Sequence, residues 1–220
     1  MTLRKVGRPS QQTQARDQLI MHARELFSVM PYDKVSTRLI ASKAGVDISL
    51  IRYYFANKAG LFETMLRETL LPMKAQLGLL VAESSHQNLT DLMRTYYREM
   101  FKIPYFPRLI MQVMNTPGSD MKKQLIEKVV LDITRPIQET LFEKLIERGV
   151  IREGMDPQLC KISYLSLMIF PFIAPPALLK IHGVELSQTF LESLVEHNIQ
   201  LMEQGFINEN GISSLHRVHT

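Results

Sequence analysis

The chain reads as all-α: a small N-terminal helix-turn-helix domain, residues 1–60, followed by a larger helical domain, residues 61–220. Three observations carry that reading. Apolar residues recur at three- and four-residue intervals along most of the chain, the spacing that lays one face of a helix against a core. No segment alternates apolar and polar residues between turn signals, so no strand is predicted. Near the N-terminus two helix-length segments are separated only by a turn containing glycine.

The first helix is predicted from about Gln12 to Val29, with Leu19, Ile20, Ala23, Leu26, Phe27 and Met30 on one face. Pro31 ends it. Ser36 or Thr37 caps a short second helix, Thr37–Ala44, which Gly45 stops in a left-handed conformation. Asp47 or Ser49 caps a third that ends near Tyr54–Phe55. Asn57 caps a fourth from Lys58, carrying Leu61, Phe62, Met65, Leu66 and Leu70, which Pro72 can bend. The domain boundary is expected inside or just after that helix.

Farther on, Leu89–Ile103 follows the polar break Glu83–Asn88, and Pro107–Asn115 lies between Pro104 and the turn Thr116-Pro117-Gly118. Asp120–Arg148 repeats an apolar residue every four positions from Leu125 to Leu145, with Pro136 expected to kink or divide it. After a turn at Gly149 and Gly154, Asp156 caps a helix from Pro157 to about Phe170, with proline at its favoured first position. Leu186–Gln204 is the last helix, and the tail from Gly205 is expected to fray.

The 220 residues are 45% hydrophobic and 22% charged, enough to build a core and too apolar for a disordered chain. The single cysteine, Cys160, excludes an internal disulfide and fits a reducing, cytoplasmic setting. It is expected half-buried on a helix. No apolar run follows the basic N-terminus, so no signal peptide is predicted. Ile162–Leu179 is uncharged over 18 residues, the lower edge of a membrane span. Its prolines Pro171, Pro175 and Pro176 argue instead for a buried or subunit-facing segment.

Charge is distributed unevenly. Residues 1–60 hold ten Lys and Arg against four acids, a net +6, whereas the other 160 residues carry 16 basic and 18 acidic groups, a net −2. A basic first quarter on a near-neutral body is the footprint of a polyanion-binding head. The six histidines show no metal-ligand spacing, and His216 and His219 fall in the tail. No HExxH motif, phosphate loop or nucleophile elbow occurs, so neither enzyme chemistry nor a metal or cofactor is predicted.

Residues 36–58 read STRLIASKAGVDISLIRYYFANK. Ile40, Ala41, Val46, Ile51 and Phe55 can form the inner faces of two short helices, and Ala41 and Ala44 are small where the helices must approach. Thr37, Arg38, Ile48, Ser49, Arg52 and Tyr53 are then left facing outward, a mostly polar, basic and aromatic set of the kind that groove and phosphate contacts require. A three-helix packing unit with a solvated face, or a helical protein-interaction adaptor without DNA binding, would share much of this pattern. The basic first quarter favours DNA.

Over residues 11–65 the chain resembles the DNA-binding domain of the TetR family of bacterial repressors. The matching run is Ala23, Leu26-Phe27, Tyr32, Ser36-Thr37, Ile40-Ala41, Ala44-Gly45-Val46, Leu50-Ile51-Arg52-Tyr53-Tyr54-Phe55, Asn57-Lys58 and Gly60-Leu61-Phe62. The resemblance implies a homodimer that reads palindromic double-stranded DNA, the third helix entering the major groove. It gives Thr37 a phosphate, Arg38, Ile48 and Ser49 the bases, and Tyr53, Tyr54 and Lys58 the backbone. Arg52 stands where the family usually has tyrosine. Arg4, Lys5 and Arg8 make either an arm toward phosphate or minor groove or a disordered tail.

The resemblance further implies that the last two helices form a four-helix bundle with a second subunit. Leu165, Met168 and Ile169, with Leu191, Leu194, Val195, Ile199 and Met202, supply apolar faces for it. Among the middle helices a pocket for an unidentified small-molecule effector is expected. Its candidates are Tyr97, Phe101, Tyr105, Phe106, Met111, Met114, Phe142, Tyr164 and Met168.

Overall fold

The computed structural model describes residues 11–115, 121–138 and 141–208. These form α1 (Gln11–Val29), a 3₁₀ turn (Tyr32–Lys34), α2 (Thr37–Ala44), α3 (Ser49–Phe55), α4 (Lys58–Glu83), α5 (His86–Lys102) and α6 (Phe106–Met114). After them come α7 (Met121–Gln138), α8 (Leu141–Glu147), α9 (Pro157–Ile173), α10 (Pro176–Ile181) and α11 (Gln188–Gly205). No named strand occurs among the described residues. Two compact units are present, divided within α4 after Thr69 and within α7 after Val129. The first unit therefore extends past residue 60 because the early turns of α4 are bound to α1. Arg16 donates to Glu68 at 2.6 Å, and Arg24 Nε donates to the Thr69 hydroxyl at 2.9 Å.

The first unit, the head, is built on the fully buried Phe27, Leu19, Leu61, Phe62, Met65 and Leu66. Phe27 stacks on Tyr32 at 5.3 Å and meets Phe62 edge-on at 4.8 Å. Such ring pairs add to their burial through favourable quadrupole geometry. The expected caps are present. Ser36 Oγ accepts from Leu39 N at 3.1 Å, Asp47 Oδ1 from Ser49 N at 2.7 Å, and Asn57 Oδ1 from Gly60 N at 2.9 Å. Each such cap contributes about 1 kcal/mol. Gly45, at φ 65°, closes α2 with bonds from Gly45 N to Ser42 O and from Val46 N to Ala41 O, the six-to-one and five-to-two pattern of a Schellman end.

In the second unit, the body, the structure departs from expectation at particular points. Helix α5 begins at His86, inside the supposed polar break, because Ser85 caps it by accepting from Asn88 N at 3.2 Å. A polar first turn is solvated and still helical. The long repeat is divided after Pro136, with α7 ending at Gln138 and α8 starting at Leu141. Asp156 caps α9 as expected, yet α9 continues through Pro171 to Ile173. Pro171 has no N–H for the Leu167 carbonyl four residues earlier. That carbonyl instead accepts from the Tyr97 hydroxyl at 2.7 Å and from Asn198 Nδ2 at 3.1 Å. Tyr97 is thus a buried structural residue. No described helix is long and apolar enough to cross a membrane.

Three further expectations change. Leu191, Val195, Ile199 and Met202 are buried within the single chain, as is Met168, whereas the apolar residues that α9 and α11 leave exposed are Leu159, Ile162, Phe170, Phe190 and Leu201, with Leu165 at the limit of exposure. Cys160 is buried rather than half-buried, and burial raises its thiol pKa. The chain does not fray at Gly205. Ile207 is fully buried and bridges Ile151 in antiparallel fashion, with Arg152 N donating to Phe206 O at 2.9 Å and Asn208 N to Val150 O at 2.8 Å. The arm residues Arg4, Lys5 and Arg8 and the tail histidines His216 and His219 lie outside the described residues.

Candidate nucleic-acid interface

Helix α3 is held from behind and left open in front. Ile51 and Phe55 are buried, and the Arg16 guanidinium sits 5.8 Å from the Phe55 ring centroid. Ile40 and Ala41 of α2 are buried as expected, while Val46 is only half-buried. On the other side Arg38, Ser49 and Arg52 are exposed, Ile48 is 46% and Tyr53 73% exposed, and Thr37 and Tyr54 are half-buried. Tyr53 is braced against Tyr54, ring centroids 4.9 Å apart and nearly perpendicular, so a large exposed aromatic keeps a defined position. Hydrogen bonding to Ser49 holds the Asp47 carboxyl below its ordinary pKa, so this cap stays ionised at the start of α3.

The junction after α3 is tight. Ala56 adopts φ 65°, ψ −45°, and Asn57 N donates to Phe55 O at 2.7 Å, a three-residue γ-turn of strained geometry. Gly60 then passes so close that a Cβ on it would lie 2.1 Å from the Phe55 carbonyl oxygen. Only glycine fits there, and the close approach fixes the end of α3 on the start of α4.

Lys58 has a different place from the other predicted contacts. Its ammonium donates to the Tyr32 carbonyl at 2.6 Å and lies 4.0 Å from the Tyr32 ring centroid. Burial lowers its pKa, with Asp33 opposing that shift. Its charge therefore braces the 3₁₀ turn. Lys34 and Lys43 are exposed cations of the head that motif reading did not single out. Their signal was present only in the charge count of the first quarter.

The body contains a partly open cavity of about 430 Å³. Of the nine pocket candidates, Phe106, Met111, Phe142, Tyr164 and Met168 line it. Phe101, Tyr105, Met114 and Tyr97 are not part of its wall. Tyr105 is half exposed just before α6, and the Tyr97 hydroxyl is committed to α9. Most of the wall escaped the sequence reading. Leu70, Met73, Leu77 and Leu80 come from α4, Leu89, Leu92, Tyr96 and Met100 from α5, and Val130, Ile133 and Thr134 from α7. Each is an ordinary core residue by local pattern, so no signal distinguished them. The Tyr164 hydroxyl donates to Leu89 O at 2.8 Å, which stations its ring beside Phe142.

Two short helices in this arrangement, a left-handed glycine between them and an exposed basic and aromatic face on the second define a helix-turn-helix DNA-binding transcriptional regulator. Family comparison is specific. Residues 19–65 match the model of bacterial regulatory proteins of the tetR family, and residues 82–212 match the tetracyclin repressor-like C-terminal domain. The chain belongs to the TetR family.

Comparison with curated proteins finds no significant match. Solved structures give the fold. The fatty acid degradation regulator FadR from Bacillus halodurans aligns with TM-score 0.65 at 18% identity, covering 86% of this chain and 98% of that one. NalD, the secondary repressor of the MexAB-OprM multidrug efflux pump in Pseudomonas aeruginosa, aligns with TM-score 0.63 at 22% identity, covering 89% and 97%. The hemolysin II transcriptional regulator HlyIIR aligns with TM-score 0.57 at 15% identity, covering 86% and 97%. At these identities the likeness is one of fold.

Proposed function

We propose that the protein is a dimeric repressor that binds a palindromic operator and leaves it when a small, largely apolar effector enters the cavity of the body. The observation that carries the DNA half is the outward face of α2 and α3 on a fully packed head. Thr37 is assigned to phosphate, Arg38, Ile48, Ser49 and Arg52 to base edges or phosphate, and Tyr53 and Tyr54 to the backbone. Arginine to guanine is the commonest specific base contact in the major groove. Lys58 is assigned to holding Tyr32, with its effect on DNA exerted through the position of the head.

Dimerisation is supported by the exposed apolar residues of the last helices. Phe190 and Leu201 share one face of α11 with Leu194 and His197, and Leu159, Ile162 and Phe170 share one face of α9. A two-fold reader also needs two half-sites about one helical turn apart. The regulators and repressors of similar fold support the same reading. Coupling is assigned to α4 and α7. Helix α4 carries Phe62 in the head and Leu70 and Met73 in the cavity wall, and α7 carries Lys122, paired with Asp33 at 2.6 Å, and then Val130 and Ile133. A ligand that prefers one disposition of those helices shifts the population of DNA-competent dimers.

Selection of bound sequences from a random DNA pool supplies the operator, and a palindrome is the expected product. On that operator, Arg38→Ala and Tyr53→Ala each weaken binding about tenfold or more, the loss of a good groove or phosphate contact, with helicity unchanged by circular dichroism. Unchanged operator affinity at physiological salt would remove these residues from the interface. Light scattering checks the dimer, and a monomer at micromolar concentration would overturn it.

A further inference from the structure

The cavity wall holds one charged side chain among its described residues, Lys161. On α9 the cavity face is Lys161, Tyr164, Leu165, Met168 and Ile169, spaced as i, i+3, i+4, i+7 and i+8, so Lys161 begins that face. Lys161 is half-buried, and no described acid pairs with it. The other polar groups are differently placed. Tyr164 already donates to Leu89 O and Thr134 to Val130 O. Tyr96 is a phenol that burial keeps neutral, with its ring against Phe172.

We propose that the cavity takes an amphiphilic anion, with an uncharged aliphatic or aryl body in the apolar space and a single carboxylate-like head on the Lys161 ammonium. This rests on the effector reading of the cavity and narrows it from an apolar ligand to a monoanionic one. An ammonium at the edge of an apolar space loses part of its hydration, and an anionic head restores that loss through a charge-assisted hydrogen bond. A neutral ligand of the same body leaves the ammonium as it was. A cationic one meets like charge with no carboxylate in the described wall to offset it. The alternative for a lone lysine is a stem lying along the wall with its head in water. In that case ligand charge would make no difference to binding.

The test uses the full chain and a neutral fluorescent probe, N-phenyl-1-naphthylamine, displaced by dodecanoate, 1-dodecanol or dodecyltrimethylammonium below their aggregation concentrations. Dodecanoate is expected to displace the probe at about tenfold lower concentration than dodecanol, equivalent to about 1.4 kcal/mol, and the cation least well. Lys161→Met brings the carboxylate and alcohol within about twofold of each other, Lys161→Arg keeps the preference, and Tyr96→Phe leaves it unchanged. Thermal melting verifies that each variant is folded. Equal displacement by carboxylate and alcohol in the wild-type protein overturns the proposal while leaving an apolar effector site standing. Loss of the preference in Tyr96→Phe but not in Lys161→Met moves the head to Tyr96 and overturns it as well. Failure of the probe to bind, or of every chain compound to displace it, overturns the cavity as an effector site and this inference with it.

Discussion

The head and the body are both helical and both well filled with aliphatic side chains, yet the residues proposed for function lie in opposite places. In the head the core is closed, with Phe27 and Phe62 fully buried, and the proposed DNA contacts are what remains outside, among them Arg38, Ile48 and Tyr53. In the body Asn198 of α11 closes on Tyr97 of α5, but helices α4 to α9 leave a cavity of about 430 Å³, and the proposed effector site is what faces inward. A reading surface needs rigid support, since a shift of an ångström spoils hydrogen-bond geometry in the groove. A regulatory cavity needs the reverse, an unfilled space whose occupation changes the energy of the helices around it. Close packing costs little in the first case and would abolish the second.

Three substitutions break or sharpen that contrast. The largest effect is expected at Gly60, where a Cβ would meet the Phe55 carbonyl at 2.1 Å. Gly60→Ala is expected to destabilise the chain by about 3 kcal/mol and to reduce operator binding, because backbone at the α3–α4 junction must move. A thermal melt and a mobility shift check both, and a stable variant with full operator affinity would show that the junction is looser than its geometry. Next comes Asn198→Leu. It removes the Nδ2 donor shared by the Tyr97 hydroxyl at 2.8 Å and Leu167 O at 3.1 Å beside Pro171, for a loss of about 2 kcal/mol. Chemical denaturation reads the change, and an unaffected midpoint would mean that Tyr97 alone satisfies the carbonyl. Smallest in stability is Leu92→Phe, which extends a ring toward the cavity. The change in stability is expected to stay within about 1 kcal/mol, since the added atoms enter existing space. Operator affinity is retained and release by ligand is lost. A loss of several kcal/mol would show that the space is too constrained to admit a ring.

How legible each region was follows from the same contrast. In the head each decisive residue acts on near neighbours in sequence. Ser36 caps three residues on, Asn57 caps Gly60, and Gly45 turns the chain where it stands, so the caps and the turn fall where the motif places them. Lys58 is the exception. Its attachment to Tyr32 crosses 26 residues, and nothing local to Lys58 announces it. In the body the decisive relations are long-range. Pro171 looks like a helix breaker until Tyr97 and Asn198 arrive from α5 and α11 to occupy the Leu167 carbonyl. Leu191, Val195, Ile199 and Met202 form an apolar stripe that serves either the subunit's own core or a partner, and only their neighbours decide between the two.

The amino-acid sequence by itself determined the helical class, the caps, the position of the helix-turn-helix and the side chains it exposes, because helix periodicity and capping act within a turn or two. Tertiary structure alone decided which aliphatic residues close a core and which line a cavity. An apolar side chain has the same local pattern in either setting, and whether it meets another side chain or open space depends on helices tens of residues away. It likewise decided that Lys161, one basic residue among 26 in the chain, stands at an apolar cavity while Lys58 is turned onto an aromatic ring. A charge acquires its role from its surroundings, and those are set by packing.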